Sequence, residues 1–350
     1  VTLYAPNQNV IDEVLLNPNI THLTISQAKG KSFDFSKLPG LTTLTLEFNE
    51  LREIPSSVFD LAQLDTLELM YNKISVVPAG IGRLKKLKYL CLYSNTIHTL
   101  ADEIGDCSSL EWLRLDYNRS LSMLPIFIGK LSNLKELRAN NCNLNSIPKS
   151  LENCNKLEVL ELAKNKLIDV GLDYRKLPKL RSLQLKDNKL VAIHSSLYYL
   201  DSITRLDLSD NRLTLLPGGI ENMTQLTSLA LNNNQLLSLP TGVSELINLT
   251  YFSTYNNSLT EFPSVAKLNK VQSFYIGNNK LIKFPDGIEN LQQLTSLEIQ
   301  ANQFEVFPPF IYNLPKLDRV WLDENLRIKK GFNPFSIFSI DFTFYNRTII

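Results

Sequence analysis

The chain has almost no net charge: 36 Lys plus Arg stand against 35 Asp plus Glu in 350 residues, a formal +1. That balance leaves no electrostatic footprint for nucleic acid or for an anionic membrane surface. No apolar run approaches the roughly 18–20 residues that a membrane-crossing helix needs. Cysteine is scarce, with four in the whole chain and no paired clusters at either end, so nothing reads as a disulfide framework. Histidine is scarcer still, at three residues.

What is present is a repeat. The stretch from Leu64 to Lys86 sends Leu67 and Leu69 to one face by strand alternation. Asn72 then breaks the alternation, and Ile74, Val77, Ile81 and Leu84 return to the apolar side at wider spacing. Further units start at Leu41, Leu87, Leu110, Leu134, Leu157, Leu180, Ile203, Leu226, Leu249, Val271, Leu294 and Leu317. The spacing is 23 residues, with one insertion near Ser120 and one deletion after Leu249. One such unit cannot bury its own leucines, so the copies must stack.

These segments match Leu-x-x-Leu-x-Leu-x-x-Asn-x-Leu, and the chain resembles the leucine-rich repeat family over roughly residues 20–340. The mid-repeat Leu-x-x-Ile-Pro-x-x-Ile is similar to the 23-residue subclass of bacterial surface or effector proteins and cytosolic scaffolds. The resemblance implies an α/β fold, a right-handed solenoid or horseshoe with one parallel sheet of about 14 strands on its concave face. Three parts are expected: a helical cap over 1–19, a solenoid of about 14 repeats over 20–338, and a capping strand over 339–350. The cap rests on Val10, Ile11, Val14 and Leu15, spaced along one helix face and stopped by Asn17-Pro18. At the far end Ile340, Phe342 and Phe344 alternate like a strand.

Position 9 of each unit forms a structural ladder: Asn49, Asn72, Asn95, Asn118, Cys142, Asn165, Asn188, Asn211, Asn234, Asn257, Asn279, Asn302 and Asn325. An inward amide can satisfy backbone groups of neighbouring turns with both of its ends. Pro55, Pro78, Pro148, Pro217, Pro240, Pro263, Pro285 and Pro308 end the outgoing segments, whose return is expected to be extended or 3₁₀. Repeats with Ala101, Gly171 or His194 at that place are expected to be looser. Cys107 and Cys154 read as small core residues, two strands apart and beyond disulfide reach. Cys91 is expected to face outward.

No catalytic constellation emerges. His22, His98 and His194 fall at different positions of different repeats and cannot converge on a metal. Gly30-Lys31-Ser32 has the tail of a phosphate loop, but Ile25 stands where the loop requires Gly. No Cys-x-Asp, the nucleophile signature of repeat-bearing bacterial ubiquitin ligases, occurs. No cofactor or metal is expected. The Asn-x-Ser/Thr sequons are no more numerous than chance in so polar a chain, and do not argue for secretion.

The remaining candidate is a surface. Positions 3, 5, 7 and 8 of a repeat face the concave side or its rim, and aromatic residues gather there. Phe48, Met70, Tyr71, Tyr89, Tyr93, Trp112 and Tyr117 lie on early repeats beside Arg114 and Arg138; Tyr251, Tyr255, Tyr275 and Trp321 form a sparser group. Exposed aromatics flanked by Arg have the composition of binding hot spots. The alternative is that the rings pack on one another across strands. The leading function is a non-enzymatic, monomeric module binding a protein partner through its concave face. The alternatives are the recognition arm of a larger signalling enzyme or effector, and a glycan-binding surface protein. A short helix closed by Asn-Pro before the first strand is similar to repeat proteins of Bacteroidetes and spirochaetes, so an exported or cell-surface bacterial protein is favoured over a cytoplasmic one.

Overall fold

The computed structural model describes residues 1–323 and the strand Asp341–Tyr345, whose side chains other than Thr343 are not described. The chain divides into two compact units, Val1–Leu180 and Arg181–Ile350. Each is a stack of coils, and each coil contributes one short strand to a parallel sheet.

In the first unit the strands of this sheet are Thr2–Tyr4, His22–Ser26, Thr43–Thr45, Thr66–Glu68, Tyr89–Cys91, Trp112–Arg114, Glu136–Arg138 and Val159–Glu161, and Val76–Val77 pairs with Thr99–Leu100 in a separate two-stranded sheet. They pair in chain order, with Leu44, Leu67, Leu90, Leu113, Leu137 and Leu160 in register. Those leucines are fully buried, as are Leu46, Leu69, Leu92, Leu115 and Leu162 two residues on. Alternation thus delivers two inward residues per coil to the core, both leucine in these coils except for Ala139 after Leu137, and leaves the residues beside them on the open face. The 24-residue spacing from Leu110 to Leu134 leaves this register intact.

The second unit repeats the plan with Ser182–Gln184, Arg205–Asp207, Ser228–Ala230, Tyr251–Ser253, Ser273–Tyr275, Ser296–Glu298, Arg319–Asp323 and Asp341–Tyr345. Its core changes character where Phe252 and Phe274 take the leucine position and stack in register, ring centroids 5.7 Å apart.

Helix Gln8–Leu15 forms as the spacing predicts, with Ile11 and Leu15 buried and Asn7 capping its start through the Val10 amide. Strand Thr2–Tyr4 ahead of it was not anticipated: three residues are too few to show a period, yet they pair with Thr24–Ser26. The expected ladder residue Asn325 and the side chains of Ile340, Phe342 and Phe344 lie outside the described residues.

The ladder itself is as expected. Asn95 accepts the Ile74 amide at 3.0 Å and donates to the Leu69 and Leu92 carbonyls at 2.9 and 3.1 Å. Asn72, Asn118, Asn165, Asn211, Asn257, Asn279 and Asn302 repeat the arrangement. Cys142, with one weak donor, reaches the Leu115 carbonyl at 3.3 Å and also hydrogen-bonds the Asn118 backbone.

Opposite the sheet, most coils return through 3₁₀ segments such as Ala79–Arg83 and Thr241–Glu245. Two of the three coils lacking the proline are not loosened. Ala101 holds φ −62°, the value proline would impose, and precedes an ordinary segment, Asp102–Asp106. His194 accepts the Ser196 amide on its ring nitrogen and caps Ser195–Tyr199. At Gly171, with φ +65°, the segment is three residues, Tyr174–Lys176, the same length as Ile220–Asn222 and Ile288–Asn290 in coils that keep the proline.

All four cysteines are free and buried. This corrects the expectation for Cys91, which is 1% exposed. It lies on the open face between Glu68 and Arg114 in register, and larger neighbours, Tyr89 among them, cover it.

Candidate binding face

A turn that follows each sheet strand from His22–Ser26 to Ser296–Glu298 positions the candidate residues. To swing the ladder residue inward, the residue before it takes the left-handed backbone conformation. In the first unit those residues are Gln27, Phe48, Tyr71, Ser94, Tyr117, Asn141 and Lys164; in the second, Asp187, Asp210, Asn233, Asn256, Asn278 and Ala301. Most of these turns also continue the sheet's hydrogen bonding, as Tyr71 N–H donates to the Tyr93 carbonyl at 3.0 Å and Tyr117 N–H to the Asn140 carbonyl at 2.9 Å. Non-glycine residues enter this region with difficulty, Asn and Asp most readily and bulky side chains least.

Three of the first unit's aromatic side chains nevertheless occupy it. Phe48 stacks on Tyr71 at 4.4 Å, Tyr71 meets Tyr93 edge-on at 5.3 Å, and Tyr93 meets Tyr117 at 5.1 Å. The rings form one row across four coils, and Phe48, Tyr71 and Tyr117 remain 42, 41 and 40% exposed.

The other early candidates form a separate group on the strands. Tyr89 and Trp112 are register neighbours, both half-buried. Tyr89, its phenol pushed up by burial, hydrogen-bonds Arg114. Trp112 carries the Lys135 ammonium 5.2 Å from its ring centre. Arg138 is committed to Glu136 and, at 3.1 Å, to Glu161. Arg114 Nε lies 4.0 Å from Asp116 Oδ2, and both atoms are buried without a hydrogen bond. Met70 is half-buried. The expected single patch is therefore two: an exposed ring row along the turns, and a more occupied, ion-paired strand group.

In the second unit Tyr251 and Tyr275 meet edge to face at 5.6 Å, while Tyr255 and Trp321 are half-buried on the same face. At the turns a polar row replaces the rings. Asn278 donates to Asn256 at 2.6 Å, Asn256 to Asn233 at 2.8 Å, and Asn233 to Asp210 at 2.6 Å. The sequence reading missed this row, although the doublets Asn233-Asn234, Asn256-Asn257 and Asn278-Asn279 carried its signal.

The coil architecture, the inward asparagine ladder and the open sheet face define a leucine-rich repeat binding scaffold. Sequence profiles agree: one described as a leucine-rich repeat region matches residues 78–170, and one described as leucine rich repeat matches 39–90 and 178–236. A solved leucine-rich repeat protein of Leptospira interrogans is 31% identical, with TM-score 0.77, over 91% of this chain and 88% of that one. The chain belongs to the leucine-rich repeat family. A plant peptide hormone receptor, RGFR1, solved in complex with RGF2, is 30% identical with TM-score 0.73; the match covers 85% of this chain and half of the receptor's. An internalin of Listeria monocytogenes, inlF, shares the fold at 22% identity and TM-score 0.76 over 90% of this chain and 88% of its own. No curated protein sequence matches the chain. Among the described residues no helix is long and apolar enough to cross a membrane.

Proposed function

We propose that the chain is a non-enzymatic binding module that takes a protein partner on the open face of its sheet, anchored by the ring row of the first unit. The observation that carries this reading is the placing of Phe48, Tyr71 and Tyr117 in left-handed backbone while they stay exposed. Bulky rings where the turn imposes left-handed backbone, held together with apolar area left in water, favour a surface kept for a partner. Trp112, Met70, Tyr89, Tyr93, Arg114 and Arg138 extend the contact area, with Tyr251, Tyr255, Tyr275 and Trp321 on the second unit. The receptor that shares 30% identity with this chain was solved in complex with RGF2, which supports a protein or peptide ligand. The likeness to a Leptospira protein supports a bacterial setting, and an exported location follows the same reading.

The test is affinity capture by the wild-type chain and by a triple variant, Phe48→Asn, Tyr71→Asn and Tyr117→Asn. A partner held by the wild type and by Ser228→Ala, but lost by the folded triple variant, supports the assignment. Equal recovery by the triple variant overturns it.

A further inference from the structure

The second unit has a depression of about 460 Å³ on the open face of its sheet. Its floor is low because small residues, Ser228, Ala230 and Ser253, stand where neighbouring coils carry long ones. Tyr251 and Tyr275 wall one side, and Glu298 lies at that end. The register places Tyr275, Glu298 and Trp321 on three successive strands, so an aromatic side chain stands on each side of the carboxylate, at the usual strand spacing of about 4.8 Å.

Among the described residues, Gln300 hydrogen-bonds Glu298 and no cation answers its charge; burial holds its carboxyl above the usual range. The two cations that line the depression are placed elsewhere. Lys186 is paired with Asp210 at 3.3 Å, and Arg205 stands on the opposite wall, on the same strand as Asp207.

A half-buried carboxylate without a counter-charge loses hydration and gains little in return. An acidic ligand would be repelled there, and an apolar one would desolvate the carboxylate further. A cation answers both the charge and the rings, since the faces of Tyr and Trp attract ammonium and guanidinium groups. We propose that the Glu298 end of the depression receives a lysine or arginine side chain from a protein partner, flanked by Tyr275 and Trp321. This rests on the reading above that a protein lies on the open face, and it assigns that partner a basic segment.

The full chain is titrated calorimetrically with acetylated hexaarginine and hexalysine amides at physiological ionic strength, with hexaglutamate as the control. Binding of a basic peptide is expected to weaken tenfold or more in Glu298→Gln, with no fall in melting temperature. Tyr275→Ala should weaken it several-fold. Glu289→Gln removes the same charge at an exposed position of the segment Ile288–Asn290 and should change nothing. The proposal is overturned if neither basic peptide binds at millimolar concentration, if hexaglutamate binds as well, or if Glu298→Gln and Glu289→Gln act alike. Because the peptides stand in for the partner, this site can fail while the ring row still holds its protein, and the reverse.

Discussion

The same repeat position solves one backbone problem with two kinds of side chain. In the second unit Asp210, Asn233, Asn256 and Asn278 precede inward asparagines; they are of the types that tolerate left-handed backbone best and they hydrogen-bond along a row, while Asp187 and Ala301 hold the same place in the flanking coils. In the first unit Phe48, Tyr71 and Tyr117 hold the same φ, between 56 and 62°, with ring contacts and a Tyr71–Tyr93 hydrogen bond in compensation. Left-handed backbone costs an ordinary residue about 1–2 kcal/mol, and an aromatic pair returns about 0.5–1.5 kcal/mol. The two nearly cancel, so stability alone does not select the rings. The turn dictates φ; the surface is free to choose the side chain.

The comparison can be broken first at Tyr71. Tyr71→Asn gives the first unit the second unit's residue, and should weaken partner binding by about 2 kcal/mol or more. Its stability should move by less than about 1 kcal/mol, because lost ring contacts and relieved strain offset each other. A large fall in melting temperature with binding intact would show that the rings serve packing alone.

The next effect separates the buried ladder from the exposed amide row. Asn211→Ala leaves the Leu190 amide and the Leu185 and Leu208 carbonyls without their partner and should cost about 1–3 kcal/mol by denaturant unfolding. Asn256→Ala, on the exposed row, should cost under about 0.5 kcal/mol. Equal costs would mean that the exposed row also carries the fold.

Thiol chemistry gives a slower readout of the same stacks. Burial pushes Cys107, Cys142 and Cys154 up to about 12, and Cys91 is covered as well. All four should resist alkylation at neutral pH until the coils open; rapid labelling of Cys91 in the native chain would show that its cover is loose.

The smallest effect lies beside the ring row. Glu50, exposed, is held at about 2 by hydrogen bonds from Lys73 and Lys29, at 2.8 and 2.9 Å. Its folded value lies below its ordinary 4.5, so its contribution is present above about pH 4.5 and fades as the pH falls towards 2. Acid titration of Glu50→Gln against wild type should show a slight flattening in that window, and salt should erase the difference.

Much of this was legible in the sequence because the repeat imposes its period on burial. Leu67 and Leu69, the inward asparagines and the core cysteines at 107 and 154 followed from position alone. What escaped depends on neighbours across strands. Cys91 is at an outward position, but larger side chains on its own and adjoining strands close over it. Arg138 has the composition of a hot spot, but Glu136 and Glu161 engage it. Ala101 shows that proline's role at the return is to fix φ, which another residue can also adopt. The division of the aromatics into a ring row and a strand group follows repeat position, 7 and 8 against 3 and 5, which the sequence reading pools into one surface.

The ladder gives the molecule a direction in time. Asn95 serves the coil before its own, accepting from Ile74 and donating to Leu69, and Asn118 does the same for Ile97 and Leu92. A coil is therefore finished only when its successor arrives. On a ribosome adding about 5–20 residues per second, each coil would wait roughly 1–5 s for the next one. Throughout synthesis the newest coil would be the one with open polar groups, and folding would trail translation by one repeat.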